Sequence, residues 1–115
     1  MAFNDIERKR VENATAAFVE TVRPAAHIRP KLDIGYRVEN QAVFIFEVRP
    51  SFRDPDTKHE GAVAKAVFVR KSNNWKIYWM RQDLKWHSYP PKPIVSSLDA
   101  FFEEVSADPN ACFWG

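Results

Sequence analysis

The stretch WKIYWMRQDLKWHSY, Trp75 to Tyr89, places five aromatic rings, three cations and a histidine in fifteen residues, and its register decides the fold. Two strand-like runs flank a polar centre. A two-residue turn at Asp83-Leu84 sets Arg81 opposite Trp86, Met80 opposite His87, Trp79 opposite Ser88 and Tyr78 opposite Tyr89. Opposed residues share a face of a sheet. One face then holds Trp75, Ile77, Trp79 and Trp86, which reads as core packed under a helix. The other holds Lys76, Tyr78, Met80, Lys85, His87 and Tyr89. A one-residue slip in the turn would mix the two sets.

Moving outward, Ala62 to Arg70 reads as the preceding strand, joined to Trp75–Arg81 around Ser72-Asn73. That turn brings Phe68 opposite Ile77 and the small Ala66 opposite Trp79. Lys65, Val67 and Val69 extend the polar-tipped face. Leu32 to Glu39 and Ala42 to Arg49 flank Asn40-Gln41, a hairpin signal. Pro50 and Pro55 interrupt pairing in the charged loop that follows, and Pro90-Pro91-Lys92-Pro93 stops the sheet.

Helices close both ends. Asn4 and Glu7 form an N-x-x-E capping pattern, Val11, Ala14, Phe18 and Val22 recur as one stripe, and Pro24 ends the run. Ser96 or Ser97 caps a second helix, in which Leu98, Phe101, Phe102 and Val105 fall at i, i+3, i+4 and i+7. Asp99 suits its first turn and Asp108-Pro109 ends it. The predicted fold is α+β: an N-terminal helix, a five-stranded antiparallel meander and a C-terminal helix in a single domain over residues 1–115.

Composition bounds the function. The chain has 115 residues, 45% of them hydrophobic and 14% aromatic, enough for one core. Only three glycines occur, and no phosphate-cradling glycine motif is present. Cys112 is the lone cysteine, so no internal disulfide is expected. The opening residues MAFNDIERKR lack the apolar run of a secretory signal, and no stretch is apolar enough for a membrane span. A cytoplasmic protein without membrane contact is expected. The net charge of +2 hides a +6 block over residues 61–93 and a −4 block over residues 94–115. The blocks either neutralise each other within the fold or leave a basic surface for an anionic partner.

Several residues are candidates for chemistry. His87 beside Tyr78 and Tyr89 has the groups of a general base, though strand histidines more often bond a tyrosine or a carbonyl. Glu47 and Arg49 point to one side with Ile34, Tyr36, Val38, Val43 and Ile45, which favours a salt bridge with Arg49 or Lys65 over a shifted acid. Asp54, Asp56, His59 and Glu60 crowd one loop but match no metal-binding spacing, so neither metal nor cofactor is expected. Phe113-Trp114 reads as a tail pinned to the body.

The combination of Gly35-Tyr36-Arg37, Glu47 with Arg49-Pro50, Tyr78-Trp79, Trp86-His87-Ser88-Tyr89, Asp108-Pro109 and Phe113-Trp114-Gly115 resembles the family called domain of unknown function 3024. The likeness runs from the first helix to the last residue. Turns after the Tyr-Trp pair are often Asn-Gly-like in that family, whereas this chain has Asp83-Leu84. The resemblance implies a bacterial, cytoplasmic, stand-alone domain and brings no activity, cofactor or catalytic residue. Function is therefore read from residues. The leading expectation is a non-catalytic binding domain using Lys76, Tyr78, Lys85, His87 and Tyr89 as its contact face, toward a protein or an anionic partner. The rival is an enzyme or small-ligand binder with a cavity around Glu47, Arg49, Lys65 and His87. Single-stranded nucleic acid is a lesser alternative, since no recognised motif is present. A homodimer is also open. The polar-tipped face lies under the C-terminal helix, at a subunit contact, or open to a ligand.

Overall fold

The structure, a computed structural model, describes residues 3–114. Helix α1 spans Asp5–Val22. The Asn4 side chain accepts the Glu7 N–H at 2.8 Å, and Glu7 Oε1 accepts the Asn4 N–H at 3.0 Å, the predicted capping box. Val11, Thr15, Phe18 and Val19 form its buried stripe. The fully buried Thr15 hydroxyl donates to the Val11 carbonyl at 2.7 Å. Extended backbone at Arg23 stops the helix before Pro24. The Arg23 guanidinium then forks onto Asp33 at 2.9 and 2.8 Å, tying the helix end to the first strand.

Strands β1 (Asp33–Glu39), β2 (Ala42–Pro50), β3 (Lys58–Val69), β4 (Asn74–Met80) and β5 (Trp86–Ser88) form an antiparallel meander in chain order. The Asn40-Gln41 turn is as expected: Glu39 pairs with Ala42, and Asn40 takes φ 54. Strand β3 starts at Lys58 rather than Ala62, because pairing with β2 continues out to Pro50 opposite Lys58. A bulge follows Ile45, where Ile45 faces Ala64 but Phe46 faces Ala62. Between β3 and β4 the loop is Arg70 to Asn73, longer than predicted. Phe68 therefore pairs with Trp75, Ala66 with Ile77 and Ala64 with Trp79. This two-residue shift keeps every side chain on its expected face, and small still meets large.

The next hairpin corrects the reading. Tyr78 pairs with Ser88, Trp79 with His87 and Met80 with Trp86, a slip of one residue. The turn holds three residues, Gln82, Asp83 and Leu84, with Leu84 at φ 61 and Arg81 N–H donating to the Lys85 carbonyl at 3.3 Å. A type I turn closed by a left-handed residue has this length. Strand β5 is consequently turned over. Trp86 leaves the core side, and His87 and Tyr89 join it. Nor do the prolines end the sheet: β6 (Ile94–Val95) returns to pair with β4 beyond β5.

Helix α2 spans Leu98–Ala107, capped by Ser97, whose hydroxyl accepts the Ala100 N–H at 3.1 Å. Both helices lie on the same side of the sheet. Phe18 of α1 stacks on Phe102 of α2 at 4.5 Å, over a layer of Val43, Ile45, Ala64, Ala66 and Ile77. The second sheet face carries no helix, and Phe44, Phe46, Lys65, Val67, Tyr78, Met80 and Trp86 on it are half-buried. The sheet edges are guarded. Arg8 Nη2 donates to the Val38 carbonyl at 2.7 Å, the Asp33 carboxylate accepts the Ile34 N–H at 2.8 Å, and β4 is shielded by two very short strands.

Candidate functional site

Lys65 stands at the centre of the open face, on the middle strand, between Phe44 of β2 and Tyr78 of β4, its direct cross-strand neighbours. Trp86 of β5 leans across the sheet until its ring lies 6.1 Å from that of Phe44, three strands away. The Lys65 ammonium thus sits 5.3 Å from the Phe44 ring, 5.4 Å from Tyr78 and 5.7 Å from Trp86. Such contacts attract a cation to the ring faces without neutralising it. Toward β1, Arg37 lies 5.0 Å over Phe46, and Gly35 makes room for that ring. Arg37 is compensated: Glu60 takes it at 2.9 Å and Glu39 at 3.3 Å. Lys76 is exposed at the other side. Among the described residues Lys65 and Lys76 enter no ion pair. A shallow cleft of about 320 Å³ runs beside Phe44, Lys65 and Val67 toward the Asn40-Gln41 turn.

Of the residues singled out from the sequence, Lys65, Lys76 and Tyr78 come together here. The others do not. Lys85 lies exposed at the hairpin end, alternate to Trp86 along the chain. His87 is on the helix side opposite Trp79, where its Nε2 meets Asp83 Oδ2 at 2.7 Å. That bond holds the Asp83 carboxyl below its ordinary value. Tyr89 is fully buried, its ring 4.7 Å from Phe113 and its hydroxyl donating to Glu104 Oε1 at 3.1 Å. Burial, then the Glu104 bond, push the phenol up to about 12, so it is a core hydroxyl rather than a contact residue.

The rival cavity is not assembled. Glu47 pairs with Arg49 at 2.8 Å on the helix side of β2, as expected, and β3 and β4 lie between it and His87. Three strand spacings amount to about 14 Å. Lys65 points to the opposite face from Glu47. In the β2–β3 loop, Asp54 accepts the Asp56 N–H at 3.1 Å and the Thr57 hydroxyl at 2.9 Å, while Glu60 is taken by Arg37. Among the described residues no group of three metal-ligating side chains forms. Burial raises the Cys112 thiol above its ordinary value, with Asp108 adding to the effect, which disfavours a thiolate nucleophile.

Residues missed at the sequence level complete the face: Phe44, Phe46, Arg37 and Trp86. The run Val43-Phe44-Ile45-Phe46 is the signal for the two phenylalanines, since it makes both faces of β2 apolar. The charge blocks also separate in space. Asp99, Glu103 and Glu104 belong to α2, in the layer behind the sheet, and Lys92 to Glu104 at 3.7 Å is the pair that links the two blocks among the described residues. Arg70 turns instead to Glu7, at 2.9 Å. The tail is pinned: the Asp108 carboxylate accepts the N–H groups of Phe113 and Trp114 at 3.1 and 2.9 Å, and the Trp114 indole donates to the Val105 carbonyl at 2.8 Å. Gly115, the last residue of the resemblance, lies outside the described residues.

The family described as Domain of unknown function (DUF3024) matches residues 3–115. The chain belongs to this family. No curated protein and no solved structure matches it. DUF3024 membership assigns no activity, so function rests on the geometry. Among the described residues no helix is long and apolar enough to cross a membrane.

Proposed function

We propose that the chain is a non-catalytic binding domain whose open sheet face docks an anionic polymer. The observation that carries this is Lys65, an ammonium without a carboxylate partner among the described residues, held amid Phe44, Tyr78 and Trp86 on the face that neither helix covers. Lys76 adds a second charge, also without an ion-pair partner among the described residues, and the acidic helix lies behind the sheet where it does not screen them at contact range. The guarded edges favour a partner that takes the face rather than one that adds a strand. A two-fold face-to-face dimer would oppose like charges at Lys65 and Lys76, which disfavours a second copy. The separation of Glu47 from His87 removes the support for the enzyme reading. The proposed setting is the bacterial cytoplasm, where the chain would act as one stand-alone domain, as the family resemblance implies.

The test is an NMR titration with inorganic polyphosphate at low salt. Backbone amide shifts should concentrate at Phe44, Lys65, Lys76, Tyr78 and Trp86. Shifts confined to the helices, or none at all, would sink the proposal.

A further inference from the structure

We infer that the polymer is single-stranded nucleic acid, its bases stacking on Trp86 and Phe44 and its phosphates reaching Lys65 and Lys76. This rests on the open-face reading and adds the chemistry of the occupant. The rings are the reason. A surface that recognised charge alone would need only lysines, whereas this face surrounds its central cation with three half-buried aromatic side chains. Splayed bases use both features at once, because each offers a flat π surface next to a phosphate. Trp86 is decisive. It departs from the core pattern of Trp75, abandons the helix side, and lies across the sheet toward Phe44 with the two rings tilted by 57°.

Shape discriminates further. From β2 to β5 the face spans about 14 Å, room for the two or three bases that aromatic sheet faces stack. A broad sheet face does not enter the groove of a duplex, and paired bases leave no π surface for it. An extended acidic peptide draws much of its affinity from main-chain bonds at a sheet edge. Here Arg8 and Asp33 occupy two positions of the β1 edge, and the far edge consists of strands of three and two residues.

The experiment is fluorescence anisotropy with labelled twelve-nucleotide oligo(U) and oligo(dT), with a duplex of that length, polyphosphate and poly-glutamate as comparators. Wild type, Lys76→Glu, Trp86→Ala and Trp86→Phe are measured over a salt series, each variant's fold being checked by circular dichroism. Single strands should bind with a log–log salt slope of about −1.4, two phosphate contacts at about 0.7 each, and Lys76→Glu, which removes one contact and adds a repulsive charge, should bring that slope to half or below. Trp86→Ala should weaken binding about tenfold, and Trp86→Phe should restore most of it. Duplex bound as tightly as single strands would overturn nucleic-acid stacking. So would polyphosphate or poly-glutamate binding that Lys76→Glu weakens while oligonucleotides fail or ignore Trp86; in that case the open face stands with a different polyanion. Absence of binding by every anion at low salt, or binding unchanged in all variants, overturns the open-face reading as well.

Discussion

Leu84 holds the left-handed conformation at φ 61 and is 82% exposed, so it carries backbone strain without core contacts in return. A non-glycine residue there costs about 1–2 kcal/mol. Leu84→Gly should raise stability by about 0.5–1 kcal/mol, the strain relieved less the extra freedom of an unfolded glycine. A urea midpoint that moves up with unchanged slope would show it; a lower midpoint would mean that the turn has another shape. A leucine does not mark a left-handed position as glycine or asparagine would, so the sequence carries no sign that the loop holds three residues, Gln82 to Leu84, rather than two. Gly35 is the opposite case. A Cβ there would stand 2.6 Å from Phe46 Cε2, so Gly35→Ala forces the ring away from Arg37. The same urea assay should report a loss of about 1 kcal/mol, at the low end of overpacking, because the obstructing atoms are the far end of a half-buried ring that can swing aside.

At the level of elements, the helices were legible because their ends are written in side-chain chemistry. Asn4 with Glu7 and Ser97 with Ala100 are local bonds that the sequence displays directly. Strand faces depend instead on loop length, which composition encodes weakly. The four-residue link from Arg70 to Asn73 shifted register by an even number and left faces intact. The three-residue turn before β5 shifted it by an odd number and exchanged Trp86 with His87 and Tyr89. Ring size points the wrong way here, since a core that holds all three tryptophans of that stretch buries more aromatic area than the observed one. The two-residue β6 is too short for any periodicity, and the bulge after Ile45 has no glycine to mark it. The helices depend on each other through Phe18 and Phe102, stacked within 8° of parallel. Phe102→Ala should cost about 3–5 kcal/mol. Thermal unfolding by circular dichroism checks this; a shift equivalent to under 1 kcal/mol would show that the helix pair contributes little.

For the molecule as a whole, the α+β order and the terminal helices were readable, but their placement on one side of the sheet was not, because an apolar stripe does not say which face it covers. That one-sidedness makes the open face, whereas the pH response rests on two ion pairs and one buried phenol. Arg70, with help from the Asn4 backbone, holds the Glu7 carboxyl at about 2 instead of 4.5. Arg23 likewise lowers Asp33. Groups lowered on folding contribute fully above their ordinary values, and the contribution disappears as pH falls through the folded ones. Tyr89 behaves in the reverse sense: raised from 10.0 to about 12, it contributes fully below 10.0 and loses its contribution as pH climbs through about 12. Melting temperature should therefore be flat between roughly pH 5 and 10 and fall on both sides. Tyr89→Phe should cost about 1–3 kcal/mol of stability on the plateau, through the lost bond to Glu104, and flatten the alkaline limb. An alkaline limb unchanged in that variant would assign it to another group. The guarded β1 edge has its own consequence. A molecule arriving side-on meets a guanidinium at Val38 and a carboxylate at Ile34 where an unoccupied row of amides would otherwise template a new strand. The protein is therefore a poor seed, and crowding should not lengthen copies into fibres.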